Sequence, residues 1–245
     1  MNAKLGKNMS APRGATVTSD QELFAKGLAT WQKLVAASYY GHDQVYIALH
    51  EVLLNEAKEG FVFADLACGT APRSAAALAG TGVSRYVGVD ISKPALDVAK
   101  GALAPLCCPI ELRCQDFVEA IDAWEGRLDV AWIGLSLHHL QTSEKRAFIG
   151  KIERLLPRDG LFLIWEPTCL EGEDRRGWVE RLSQFLKGLP LTDDEFAAMD
   201  SHQRASDYPE TAATWTGMAR DAGFERADML FAATDQVTGV YLFRH

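Results

Sequence analysis

Apolar and polar positions fall into two regimes along this chain. Over residues 19–58 the apolar positions recur at helical spacing, with Leu23, Phe24, Leu28, Trp31, Leu34 and Val35 forming one stripe. Ser19 and Glu22 stand as a capping box at its start, Tyr39-Tyr40-Gly41 breaks it, and a second helix is expected over 43–58. From Phe61 onward, short apolar runs alternate with amphipathic stretches. Strands are expected at 61–66, 85–90, 110–113, 128–133 and 161–165. Helices are expected up to 79, from Ser92 to about 102, and over 143–156, where Pro157 stops the last of them. That rhythm requires a parallel sheet with helices on both faces. Residues 168–205 interrupt it with a polar loop, a helix over 175–187 and a second capping box at Thr192 and Glu195. A helix over 209–222 then ends at Gly223. Two strands follow, about 227–233 and 238–243; their short connection leaves no room for a crossover, so they must pair antiparallel.

The expected fold is thus α/β: a seven-stranded, mostly parallel sheet with an antiparallel final strand and helices on both faces. One domain spans 19–245, with a helical N-terminal cap over 19–60 and an inserted lid over 168–208. Residues 1–18, rich in Lys, Ser, Thr, Gly and Ala, read as a disordered tail.

Composition narrows the field without redirecting it. A length of 245 residues suffices for a core without covalent staples. The net charge of -8 disfavours a broad nucleic-acid surface. Five cysteines, odd in number and without a Cys-x-x-Cys pair, point to reduced thiols in a cytoplasmic protein. No apolar run has membrane-spanning length and no signal core is visible. The expected partner is a small molecule, with neither nucleic acid nor membrane; composition gives no oligomeric state.

In a doubly wound sheet a ligand sits at the carboxyl ends of the strands, so each strand end is a candidate site. The first reads Asp65-Leu66-Ala67-Cys68-Gly69-Thr70. Small residues let a ligand approach the backbone, and Asp65 suits an ammonium while repelling a pyrophosphate. The second ends in Asp90-Ile91, an acid placed either to hold ribose hydroxyls or to cap the next helix. The third ends in Asp116-Phe117, which fits an adenine amine and base, or simply a loop acid beside a core aromatic.

The three acids in this order, with Leu128 to Leu140 ending in "LHHL", Leu155-Leu156-Pro157-Arg158-Asp159-Gly160 and Ala222-Gly223-Phe224, resemble the class I methyltransferases that use S-adenosylmethionine, of the small-molecule type. The family's first segment is an acid followed by Gly-x-Gly-x-Gly; here Ala67 and Ala71 replace the outer glycines and Gly69 remains. The resemblance implies a Rossmann-like fold with S-adenosylmethionine as cofactor. Asp65, Ala67, Cys68 and Gly69 would then hold its methionine end, Asp90 and Ile91 the ribose, and Asp116 and Phe117 the adenine. Ile133, Gly134 and Leu135 would line the region near sulfur. Trp31, Tyr39 and Tyr40, on an N-terminal helix folding over the cofactor, are aromatic contacts or plain core.

Methyl transfer needs alignment and, for a protonated acceptor, a base. His139, Glu166 and His202 are the candidates, with His42 more remote; His138 and His139 also read as a structural pair. The spacing of His202 with Asp200 or Glu166 does not suggest a metal site. A nicotinamide oxidoreductase would need glycine where Asp65 and Ala67 stand. A non-catalytic module binding the same cofactor fits the strand-end acids equally well. A base-methylating RNA enzyme would need an Asn/Asp-Pro-Pro-aromatic motif, which does not follow Ile133.

Overall fold

The computed structural model describes residues 34–35, 38, 40–232 and 237–245. The expected tail, the Ser19–Glu22 cap, Trp31 and Tyr39 lie outside these. Helix α1 (His42–Asn55) leads into β1 (Phe61–Leu66), α2 (Pro72–Leu78), β2 (Val83–Asp90), α3 (Lys93–Leu103) and β3 (Ile110–Cys114). Then come α4 (Phe117–Asp122), β4 (Val130–Gly134), a single 3-10 turn (Leu137–His139), α5 (Thr142–Leu155) and β5 (Leu161–Cys169). The chain continues through α6 (Arg175–Lys187), α7 (Asp193–Ser206), β6 (Glu210–Thr211), α8 (Ala212–Ala222), β7 (Arg226–Ala232) and β8 (Thr238–Arg244).

The main sheet runs β3-β2-β1-β4-β5-β8-β7, with the two-residue β6 paired to β5. Strands β1 to β5 pair parallel, whereas β8 is antiparallel to both β5 and β7. Every residue of β1 and β5 is buried, as befits strands covered on both faces. Their side chains alternate between two cores. Phe61, Phe63, Trp132, Leu163 and Trp165 pack on one face, with Ala64, Leu66, Ile133, Phe162 and Ile164 on the other. Asp129, at 2% exposure, anchors the entry to β4: it accepts from Val62 N (2.8 Å) and pairs with Arg127.

Five expectations of local structure are revised. Strand β2 starts two residues earlier than the apolar run suggested, β4 is displaced toward Gly134, and β5 continues through Pro167 to Cys169. Pro167 is tolerated because the neighbouring ladder is carried by Thr168, whose N–H reaches Val237 O at 2.9 Å. Helix α4 went unseen because its six residues hold too few turns for a period. Glu210–Thr211 forms a strand where a helix start was expected; Thr211 caps α8 instead, accepting from Thr214 N.

Candidate active site

The strand order reverses between β1 and β4, which opens a crevice at their carboxyl ends. Register aligns its floor: Leu66 faces Val89 on β2 and Ile133 on β4, while Asp90 faces Cys114 on β3. The turn after β1 uses three left-handed residues in alternation, Ala67 (φ 58°), Gly69 (φ 55°) and Ala71 (φ 55°). Only glycine enters that region without steric cost. Both alanines at the family's glycine positions are therefore strained. The turn is tied to β2 by Cys68 N to Val89 O (3.0 Å) and Gly69 N to Asp90 Oδ2 (2.8 Å).

The three acids sit in different settings. Asp65 is 2% exposed, beneath the turn, where it accepts from Tyr86 OH at 2.6 Å and from the Ser74 hydroxyl. Burial pushes its carboxyl up to about 6 against those hydrogen bonds. Asp90 is half-buried at the rim. It accepts one backbone N–H per oxygen, from Gly69 and from Ser92 (2.7 Å), and burial raises its pKa. Each oxygen keeps one lone pair for a further donor. Ser92, not Asp90, caps α3. Asp116 caps α4 through Oδ1, accepting from Val118 N and Glu119 N. Half-buried Phe117 packs edge-on against Phe148 at 5.4 Å, and so faces core on at least one side.

Other predicted residues divide the same way. Ala67, Gly69, Ile91, Gly134 and Leu135 are half-buried around the crevice, while Cys68 and Ile133 are buried. Leu135 is left-handed (φ 52°), and its N–H reaches Trp165 O at 2.7 Å. Tyr40, 7% exposed, packs tilted against Phe185 of α6 at 5.7 Å within the core, so its ring is committed to packing against the insertion.

Beyond Leu135 the exit from β4 is gathered by one carboxylate. Glu166, fully buried, accepts from Ser136 N (2.9 Å), Leu137 N (2.8 Å), His138 N (3.2 Å) and His138 Nδ1 (2.8 Å). Four donors saturate it, so its geometry is that of an anchor and not of a base waiting for a proton. His138 is buried against it. Burial opposes a charge there, but Asp207 and Glu166 outweigh it and raise the His138 pKa. His139 goes the other way: burial, reinforced by His138 and His202, lowers its pKa well below the ordinary value and leaves it neutral.

Asp207, which no sequence signal singled out, is the centre of this group. Its Oδ1 lies 3.7 Å from His138 Nε2, 3.6 Å from His139 Nδ1 and 3.8 Å from His202 Nε2. The strap that carries Asp207 is fixed to the sheet. Tyr208 N donates to His138 O (2.8 Å), and the fully buried Lys145 donates to Tyr208 O and to Glu210 (2.9 Å). A separate cavity of about 370 Å³ lies between α5 and α8, lined by Arg146, Gly150 and Arg154 among others, and holds none of these residues.

Comparison with known proteins agrees with this fold. A family model described as a methyltransferase domain matches residues 63–160. Among solved structures, magnesium protoporphyrin IX methyltransferase from Synechocystis PCC 6803 with bound SAH is similar over 94% of this chain and 99% of its own, at TM-score 0.66 and 17% identity. The same enzyme with bound SAM gives TM-score 0.61 and 16% identity, over 98% and 100% of the two chains. The cyclopropane synthase MmaA2 from Mycobacterium tuberculosis gives 0.55 and 19%, over 77% and 62%. No curated protein matches the sequence. Residues 63–160 thus carry the sequence pattern of a methyltransferase domain. The sheet is Rossmann-like, as in the Synechocystis enzyme, which is solved with SAH and with SAM. The crevice fits that cofactor: two rim carboxylates keep acceptor sites open, and an acid stands under the turn where a pyrophosphate would be repelled.

Proposed function

We propose that this enzyme methylates a small-molecule acceptor held between the tips of β4 and β5 and the inserted segment 168–208, which serves as a lid. The cofactor, when bound, supplies an activated methyl group. Asp90 holds the ribose hydroxyls, Asp116 the adenine amine, and the turn 65–69 the methionine end, with Asp65 acting from below. Gly134 and Leu135 border the reacting region, held in place by Glu166 through the β4 exit. On the acceptor side, neutral His139 receives a proton from the acceptor, while His202 and Asp207 border it.

The observation that carries this reading is the histidine–aspartate group three residues beyond Leu135, closed over by the strap that Lys145 fastens. An enclosed, partly polar floor suits a compact acceptor, and a module that only bound the cofactor would need no such group. Incubating the purified chain with tritium-labelled S-adenosylmethionine and fractionated small metabolites tests it. Label should pass to a low-mass product and disappear with His139→Gln, while S-adenosylhomocysteine affinity is kept. Cofactor binding with no transfer to any fraction, or label passing only to protein or RNA, would overturn the proposal.

A further inference from the structure

The same side chains form an arrangement that proton transfer does not require. Imidazole nitrogens of His138, His139 and His202 converge on one carboxylate oxygen, Asp207 Oδ1, at 3.6–3.8 Å. The ligand atoms of His138, His139 and Asp207 all lie within 4.8 Å of one another. Two of them, His139 Nδ1 and Asp207 Oδ1, are buried with no hydrogen-bond partner among the described residues. Such atoms are costly unless something compensates them. The contact distances are too long for hydrogen bonds yet close to those across a metal ion. With metal–ligand bonds of about 2.0–2.1 Å, the edges of a tetrahedron are about 3.3 Å, so the three edges that meet at Asp207 Oδ1 need to shorten by about 0.3–0.5 Å.

We infer that His138, His139, His202 and Asp207 bind a divalent transition ion of the zinc type, which clamps the inserted segment to the exit of β4. The surroundings are arranged as such sites usually are. His138 directs its other nitrogen, Nδ1, to Glu166 at 2.8 Å, the carboxylate–histidine pairing that fixes a ligand's tautomer. The His139 ring also donates to the backbone carbonyl of Ser206. Neutral imidazole and ionised carboxylate are the forms that coordinate. Glu166, Asp207 and Glu210 gather around the group beside Lys145, and Arg175 donates to Asp207 O at 2.6 Å. Imidazole with carboxylate favours zinc over magnesium or calcium, which take oxygen. Spacing hid the site: His138-His139 and His202 with Asp207 are more than sixty residues apart and meet only because Tyr208 and Lys145 bind the strap to the 3-10 turn and α5.

The position of the clamp beside the acceptor rests on the function proposed above; metal binding does not. With the ion bound His139 is a ligand, and its proton-accepting role belongs to the metal-free form. Protein stripped with a chelator is titrated with Zn²⁺ by calorimetry and with Co²⁺ by visible absorption, without methyl donor. One ion per chain is expected, with a tetrahedral Co²⁺ spectrum and a raised melting temperature. Asp207→Asn should weaken Zn²⁺ binding at least 100-fold and His202→Ala about 10–100-fold, while His50→Ala, on α1 and bonded to Ala77 O, leaves it unchanged. Should Asp207→Asn fail to fold, His202→Ala, at a half-exposed position of α7, decides the matter. Absence of stoichiometric binding, or His202→Ala binding as tightly as the unaltered chain, overturns the inference. S-adenosylhomocysteine affinity of the stripped protein is read separately and tests the methyltransferase site alone.

Discussion

Asp65→Asn should make this protein more stable and a poorer enzyme. The carboxyl of Asp65 is raised from 3.8 to about 6 because burial penalises its charge more than Tyr86 and Ser74 favour it. The native state thus binds more protons than the unfolded chain between those values, so stability falls as pH rises through that window and stays low above it. About two units of pKa, at ~1.4 kcal/mol each, correspond to about 3 kcal/mol lost by pH 7. Asparagine has the same shape. Its carbonyl can still accept from Tyr86 OH and its amide can donate to the Ser74 oxygen. Urea unfolding at pH 7.5 should therefore show the variant more stable by about 2–3 kcal/mol, with the gap closing toward pH 4. Calorimetry should show S-adenosylhomocysteine binding weakened about tenfold or more, since the charge beneath the turn is gone. A variant no more stable at pH 7.5, or a difference that ignores pH, would refute the assignment of burial as the dominant cause.

Three further outcomes follow from the same geometry. Asp90→Ala should weaken S-adenosylhomocysteine binding at least tenfold by calorimetry, beyond its effect on the melting temperature, because its open lone pairs face the crevice. Glu166→Gln keeps an acceptor for Ser136 and Leu137 but turns its amide toward two His138 donors. It should cost about 3 kcal/mol and lower the melting temperature by about 6–12 °C in circular dichroism. Ala67→Gly exchanges left-handed strain of about 1–2 kcal/mol for a glycine entropy cost of about 0.5–1; urea denaturation should show stability unchanged or raised by about 1 kcal/mol.

What could be read from the residues was whatever depends on local period. Strand ends placed Asp65, Asp90 and Asp116 on one edge of the sheet because each follows a short apolar run. The capping box at Thr192 and Glu195 also forms as expected. What could not be read depends on distance across the fold. Glu166 looked like a free acid after a strand, and only the fold brings four donors to it from a segment about thirty residues earlier. Asp207 carries no motif, since its meaning comes from His138 and His139 on a distant turn together with His202 on the helix it ends. Tyr86, a plain strand residue by pattern, turns out to hold the buried acid of the first turn. Alanine in place of the family's glycine at 67 and 71 is visible in the sequence, but only the backbone angles show that its cost lies in conformation.

The position of β8 has a consequence for how the chain is made. It is synthesised after β7 yet lies inside it, next to β5. Until its residues leave the ribosome, the apolar flank of β5, with Phe162, Ile164 and Trp165, presents an unpaired edge to other nascent chains. Closure of this edge therefore waits for β8, and stalling of translation between β7 and β8 should expose the flank of β5 to aggregation.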